Sequence, residues 1–149
     1  MLTLQGRPRV RVLASFVLIA GILALAGCGR NGRKLHPLRG RVVLPGADVN
    51  LLSGSFVEFA LATDPSVRSS GVISPDGSFK LETLENGSTR AGIAEGKYQV
   101  RIVLANEDSQ KRLSAENAVP ARYLEFKTSG VIVDVPTKSD VSIECVQQQ

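Results

Sequence analysis

The stretch KYQVRIVL, residues 97–104, decides the fold class because its side chains alternate between apolar and polar. Polar Lys97, Gln99 and Arg101 occupy the odd positions. The apolar even positions are Tyr98, Val100, Ile102 and Leu104. A period of two is the signature of a β-strand that buries one face and exposes the other. The stretch therefore predicts a strand that packs on the core of the domain.

Similar short segments lie on both sides of this strand. They cover 38–46, 54–62, 69–74, 78–84, 129–135 and 140–146. Segments of this length, separated by turn residues, are typical of an antiparallel β-sandwich. The sequence predicts an all-β, Ig-like sandwich of about seven strands, with a core mainly of Val, Leu and Ile.

The connections are predicted from turn chemistry. Pro45-Gly46 indicates a turn, and Pro75-Asp76-Gly77 predicts a tight link that makes 69–74 and 78–84 a hairpin. Residues 85–96 are expected to be a loop. Residues 106–118 are polar and are expected to be mainly loop, with no amphipathic helix of useful length after residue 28.

The N-terminus has a different composition. Residues 1–11 carry three arginines and no acid, and residues 12–27 carry no charge. This is the layout of an export signal, predicted as a signal helix over 1–27. A retained transmembrane helix is the alternative, but the apolar run is short for a span of about 20 residues.

The end of this apolar run, Leu25-Ala26-Gly27-Cys28, resembles the lipobox of bacterial lipoproteins. The resemblance implies cleavage before Cys28 and attachment of a diacylglyceryl group to its sulfur, often with further acylation such as palmitate. It also implies a flexible tether over 28–37 and a domain over 38–149. The alternative is an ordinary signal peptide with a cysteine at this position by chance.

The positive charge of the chain depends on this processing. The formal net charge is +4, from 18 basic and 14 acidic residues. Three of the basic residues lie in 1–27, so the remainder is nearly neutral, with both signs interleaved. Because no basic cluster is interleaved with aromatic residues, nothing in the sequence supports nucleic-acid binding.

The second cysteine, Cys145, lies in an alternating segment with Val141 and Ile143 on the same face. The pattern predicts a buried thiol that behaves as a small apolar side chain. A redox-active or intermolecular thiol is the alternative, and it requires exposure and a positive neighbourhood. If Cys28 carries lipid, Cys145 has no partner for a disulfide.

The domain as a whole resembles the carboxypeptidase regulatory-like, transthyretin-like family. The resemblance rests on four pieces in order: LRGRVV at 38–43, VEF at 57–59, PDGSFKL at 75–81 and EGKYQV at 95–100. VPARY at 119–123 followed by TSGV at 128–131 is similar to small planctomycete-type lipoproteins. The family implies an antiparallel sandwich and no particular reaction.

Residues for catalysis or metal binding are sparse. Transthyretin-like hydrolases of 5-hydroxyisourate use several histidines and a C-terminal Tyr-Arg-Gly-Ser, but this chain has one histidine, His36, and ends in VQQQ. We expect His36 to be a solvated residue of the tether. No cofactor, catalytic group or metal site is predicted, and calcium binding by acidic loop residues is left open.

Three residues are candidates for contact with a partner. Arg122, Tyr123 and Phe126 lie together in ARYLEF, and such residue types are enriched in binding hot spots. The alternative is that Tyr123 and Phe126 pack beneath the long loop as a satellite of the core.

Two functions follow from these observations. The first is a lipid-anchored, non-enzymatic structural or protein-interaction module of the cell envelope. It would be held to membrane lipid through Cys28, at the periplasmic face or the outer membrane, and would contact an envelope protein or polysaccharide. The alternative is an envelope lipoprotein that binds a carbohydrate or small ligand, with Tyr123 as the residue to test.

Overall fold

The computed structural model describes residues 33–105 and 107–147, which belong to one compact unit. The predicted all-β class is confirmed, but the strands are shorter and more numerous than predicted. They are β1 Leu35–His36, β2 Arg39–Val43, β3 Phe56–Leu61, β4 Asp64–Val72, β5 Ser78–Lys80, β6 Glu82–Glu85, β7 Ser88–Ala91, β8 Ile93–Ala94, β9 Gly96–Val103, β10 Ile132–Val135 and β11 Val141–Glu144.

These strands form two main sheets in a sandwich-like arrangement. The larger is antiparallel, with the order β10-β9-β3-β4-β6-β7, and the smaller has the order β11-β2-β5. A two-stranded ribbon joins β1 to β8. In the smaller sheet β11 runs parallel to β2, with Ile143 opposite Val42, so the expectation of a wholly antiparallel sandwich is wrong at this pair.

The strand predicted over 97–104 is present as β9, an inner strand of the larger sheet. β9 pairs with β3 on one side and β10 on the other. Tyr98, Val100 and Ile102 are all buried, and the aromatic ring of Tyr98 lies 6.4 Å from that of Phe59. Burial also raises the pKa of the Tyr98 hydroxyl, which donates to the carbonyl of Ala94 at 3.0 Å. The alternation in the sequence thus marks the face that turns toward the core.

The core lies between the two sheets. Phe59 of β3 and Phe79 of β5 meet there with ring centroids 6.2 Å apart. Most of the other buried residues are Val, Leu and Ile, as predicted: Leu38, Val42, Leu44, Leu52, Val57, Ile73, Leu81, Ile93, Val100, Ile102, Val119, Val133, Val135 and Ile143. Burial of this apolar surface is the main force holding the sheets together.

The predicted turn at Pro75-Asp76-Gly77 is present. The Asp76 carboxylate accepts hydrogen bonds from the backbone and hydroxyl of Ser78, at 3.0 and 2.7 Å, and Gly77 has φ +83°. Both hydrogen bonds from Ser78 lower the pKa of the Asp76 carboxyl, and the bond from the hydroxyl has the larger effect. An Asx turn followed by a left-handed glycine reverses the chain here.

The hairpin predicted across this turn forms only in part: Ser74 N–H donates to the Ser78 carbonyl at 2.8 Å, but the two segments do not pair along their length. After the turn, β5 pairs with β2 of the smaller sheet, while β4 meets the next strand, β6, at Ser70 opposite Glu82. The chain therefore changes sheets. A Cβ on Gly71 would lie 2.4 Å from the carbonyl oxygen of Lys80, so only glycine allows β4 and β5 to approach this closely.

Two predicted loops contain regular structure. In 85–96, Asn86 and Gly87 both have positive φ, and they close a hairpin between β6 and β7. Asn-Gly is the preferred residue pair for such a turn. The polar composition of 85–96 indicated a loop, but the segment contains part of a β-hairpin.

In 106–118, helix α1 spans Ser109–Ala118. The Asp108 side chain caps it by accepting from the backbone of Gln110 and Lys111 at 2.9 and 3.1 Å. Only Ala115 is buried, so the helix lacks the apolar stripe that would have identified it. Two 3₁₀ turns, Val49–Leu52 and Ala121–Leu124, and the short helix α2, Phe126–Ser129, complete the described elements.

The predicted tether over 28–37 extends too far, because Leu35 and His36 form β1 and pair with Ala94 and Ile93. His36 is half-buried rather than solvated, and its Nε2 has no hydrogen-bond partner among the described residues. The cause is local. Gly92 has φ +102°, and a Cβ there would lie 2.7 Å from the His36 carbonyl oxygen, so the glycine admits β1.

The signal helix predicted over 1–27 lies outside the described residues. Within those residues, no helix is long and apolar enough to cross a membrane. Cys145 is buried beside Ile143, as its pattern predicts, and burial raises the pKa of its thiol to about 12.

Candidate functional site

The residues predicted for lipid attachment and signal cleavage, Leu25, Ala26, Gly27 and Cys28, lie outside the described residues. The three candidates for partner contact are all described. The structure brings Arg122 and Tyr123 together and places Phe126 in a separate cluster.

Tyr123 is a structural residue of this fold. Its side chain is buried, and its hydroxyl donates to the carbonyl of Glu144 at 2.9 Å and accepts from the backbone N–H of Val146 at 3.2 Å. The Arg122 guanidinium lies 4.5 Å from the centre of the ring. Tyr123 therefore fastens its segment to the end of β11, which agrees with the alternative that it packs with the core. Partner contact by this segment stays a prediction.

Phe126 is half-buried and packs against two arginines. The guanidinium carbons of Arg101 and Arg68 lie 4.7 and 5.5 Å from the centre of its ring. Both arginines also donate to the Glu58 carboxylate, at 2.6 and 3.1 Å. This arginine clamp joins α2 to the outer face of the larger sheet through cation–π and ionic contacts.

A groove elsewhere on the surface has the properties of a binding site. It runs between the exposed faces of β2 and β5 and that of β4, and it has a volume of about 810 Å³. That volume falls within the range of small-ligand sites. Gly40 and Gly71 line it, and both lie at close backbone contacts where no Cβ fits.

Two cations face each other in the groove. Arg39 of β2 and Lys80 of β5 occupy directly opposite positions in an antiparallel pair, and both are exposed. Neither side chain forms an ion pair or hydrogen bond with another described residue. Arg41, the third cation of the groove, reaches Asp76 at 3.5 Å. Like charges directly opposite each other destabilise a strand pair.

The other wall of the groove is apolar. Phe56 and Val72 lie directly opposite each other on β3 and β4, and they are 41% and 54% exposed. The hydroxyl-bearing residues Ser70 and Ser142 also line the groove, with carboxylates at Glu82 and Asp140. The groove thus combines three cations, two carboxylates, hydroxyl groups and an exposed aromatic ring.

The side chains that line the groove can supply binding contacts. No group of three His, Cys, Asp or Glu side chains in the described residues is arranged to hold a metal ion. His36 does not line the groove. What the groove offers a ligand is electrostatic attraction, hydrogen bonding and a flat apolar surface.

The groove residues were not predicted from the sequence. The local signal was present, because Arg39 and Arg41 alternate with Gly40 and Val42, and Lys80 lies on the polar face of its own segment. The missing information was the pairing of β2 with β5, which lie far apart in the sequence.

Comparisons with protein-family models, with curated proteins and with solved structures found no match for this chain. The two family resemblances of the sequence therefore stay predictions.

Proposed function

We propose that this protein is a lipid-anchored, non-enzymatic interaction module of the bacterial cell envelope. The observation that carries the proposal is the order of Leu25-Ala26-Gly27-Cys28 after a charge-free run and shortly before a folded β-domain. Two or more acyl chains bind a membrane firmly, whereas one chain alone binds marginally.

The distance between the proposed lipid and the domain supports this arrangement. Six residues, 29–34, separate Cys28 from the first residue of β1. As the proposed tether, six residues would span about 12–15 Å. The segment contains three basic residues, Arg30, Arg33 and Lys34. Near an anionic membrane surface, each such residue contributes about 1 kcal/mol to the free energy of membrane binding. The domain would thus act within a short distance of the lipid headgroups.

The fold is proposed to be a variant of the carboxypeptidase regulatory-like, transthyretin-like sandwich. The order of β2, β3, β5 and β9 along the chain agrees with the four quoted pieces of the resemblance. Helix α1 and the parallel pairing of β11 with β2 depart from the family pattern.

The anchor is tested by replacing each cysteine in turn. Cells producing the full chain are labelled with radioactive palmitate, and the membrane-extracted protein is measured by intact mass. We expect wild type and Cys145→Ala to carry label and a lipidated N-terminal Cys28, and Cys28→Ser to carry neither. A mature N-terminus at any other residue, or label on Cys28→Ser, would overturn the anchor.

The interaction role is tested in intact cells. Crosslinking followed by purification from membranes is expected to recover an envelope protein or polysaccharide with wild type. The Cys28→Ser variant, displaced from the membrane, should recover less of it. Recovery of no envelope component with wild type would count against the interaction role.

The second candidate function is binding of a carbohydrate or small ligand at the envelope. The groove favours it, because Phe56 presents an exposed ring beside cationic and hydroxyl side chains. Its test is the binding experiment described below.

A further inference from the structure

The opposed cations in the groove call for an anion. In an antiparallel strand pair, directly opposite side chains have Cβ atoms about 4.5–5.5 Å apart, and like charges at that distance repel. Arg39 and Lys80 stand in this relation, and no described acidic side chain pairs with either, although Glu82 and Asp140 line the same groove. A carboxylate placed between them would remove the repulsion and accept charge-assisted hydrogen bonds from both.

The other side chains of the groove restrict the class of ligand to which this carboxylate belongs. Phe56 and Val72 form an exposed apolar surface in the same groove, and Ser70 and Ser142 bring hydroxyl groups to it. A pyranose ring has an apolar face that stacks on aromatic rings and an edge of hydroxyl groups that hydrogen-bond to polar side chains. A sugar acid presents all three kinds of contact at once.

Addition of an acidic peptide strand does not suit this groove. Peptides that extend a sheet bind to the free backbone edge of a strand. The strand that carries Arg39, β2, is already paired on both sides, with β11 and with β5. The strand that carries Lys80, β5, is at the edge of its sheet, but Gly71 of β4 lies against it, so close that an added Cβ would be 2.4 Å from the Lys80 carbonyl oxygen. The groove is lined by the faces of strands, so its specificity comes from side chains.

We propose that the groove binds an acidic saccharide, a sugar chain whose rings carry carboxylates, between Arg39 and Lys80 with one ring on Phe56. The inference rests on the second candidate function and names its ligand class. It does not depend on the lipid at Cys28, so it survives or fails independently of the anchor.

The experiment is isothermal titration of the full chain, in nonionic detergent at low salt, with tetragalacturonate. The matched probe is the same tetrasaccharide with every carboxylate converted to a methyl ester. We expect the acid to bind at least about tenfold more tightly than the ester, since a hydrogen bond to a charged group contributes roughly that factor. No binding of the acid, or equal affinity for the two probes, overturns the proposal.

Variants assign the binding to these residues. Arg39→Ala and Lys80→Ala should each weaken binding of the acid about tenfold, and Arg39→Lys should recover part of the loss. Phe56→Ala should weaken the acid and the ester alike, by about twofold to tenfold. The control is Lys127→Ala, which removes an exposed cation of α2 outside the groove lining and should leave binding unchanged.

Two further outcomes decide between sources and sites. Equal binding by Arg39→Ala, Lys80→Ala and wild type would place the ligand elsewhere and overturn the proposal. Tighter binding of a tetraglutamate peptide than of tetragalacturonate would assign the groove to acidic peptides and overturn the saccharide. Unchanged binding in Cys28→Ser is expected and separates this result from the anchor.

Discussion

The arginine clamp and the groove contain the same kinds of side chain, yet they differ in what satisfies them. In the clamp, Arg68 and Arg101 share the Glu58 carboxylate and stack on Phe126. In the groove, Arg39 and Lys80 face each other without an acidic partner among the described residues. The cations of the clamp are therefore satisfied within the fold, whereas those of the groove leave positive charge exposed at the surface.

Residue types alone therefore do not identify a binding site in this fold. Tyr123 and Phe126 have the residue types of a hot spot, but their contacts lie within the fold. Phe56 has no such contact on its exposed side and lines a concave surface. Stability should therefore depend on the first set, and ligand binding on the second.

The largest contrast is between Tyr123 and Phe56. Tyr123→Ala should lower the free energy of unfolding by about 3–5 kcal/mol, because it empties a buried aromatic site and leaves the Glu144 carbonyl unpaired. Phe56→Ala, at a partly exposed site, should cost about 1 kcal/mol or less. Urea unfolding followed by circular dichroism measures both, and equal losses would erase the distinction between the two regions.

The decrease in stability at high pH is a second test of the region around Tyr123. Cys145 belongs to this region because it precedes Val146, whose backbone N–H donates to the Tyr123 hydroxyl. Burial raises the thiol pKa from 9.0 to about 12, so the unfolded chain loses this proton before the folded chain does. The contribution is fully present below pH 9 and is lost as pH rises toward 12, at about 1.4 kcal/mol per pH unit.

Urea unfolding at about pH 8 and about pH 10 measures this loss. Cys145→Ala should show a shallower decline, with the remainder arising from Tyr98, whose pKa is also raised by burial. Identical declines for wild type and Cys145→Ala would show that the thiol is open to solvent when folded.

The clamp is tested by removing its carboxylate. Glu58→Gln should cost about 1–2 kcal/mol, because two guanidinium groups lose a charged acceptor, although both retain some contact with water. Glu85→Gln is the matched control. It breaks the Arg90 ion pair on the β6–β7 hairpin, at the edge of the sheet, and should cost about 0.2–1 kcal/mol. A cost for Glu58→Gln no greater than for Glu85→Gln would remove the clamp as a structural element.

The parts of the fold that were predicted correctly are those with local signals. The alternation in 97–104 identified β9 and its buried face, and Asp76 with Gly77 identified a turn. Helix α1 was missed because its surface is polar all round and its only marker is the cap at Asp108. The β6–β7 hairpin was missed although Asn86-Gly87 is a strong turn pair.

The groove belongs to a different class of information. Arg39 and Lys80 each look like an ordinary solvated residue on the polar face of a strand. They lie opposite each other only because the chain leaves the larger sheet after β4 and the Asp76 turn, and the next strand, β5, pairs with β2. Long-range strand pairing of this kind leaves no mark in either segment alone, so the site could not be derived without the structure.

The substitution with the smallest expected effect on stability separates the two roles of the groove most directly, because stability and ligand binding should change in opposite directions. Lys80→Glu places a carboxylate directly opposite Arg39 and replaces a repulsive cross-strand pair with an attractive one. The free energy of unfolding should rise by about 0.2–1 kcal/mol, while binding of tetragalacturonate should be lost because the engineered carboxylate occupies the place of the ligand's. Urea unfolding and titration on the same preparation measure the two effects. A residue that serves ligand binding is expected to lower the stability of the fold. A Lys80→Glu variant that is less stable than wild type and still binds tetragalacturonate would therefore show that Lys80 supports the fold rather than the ligand.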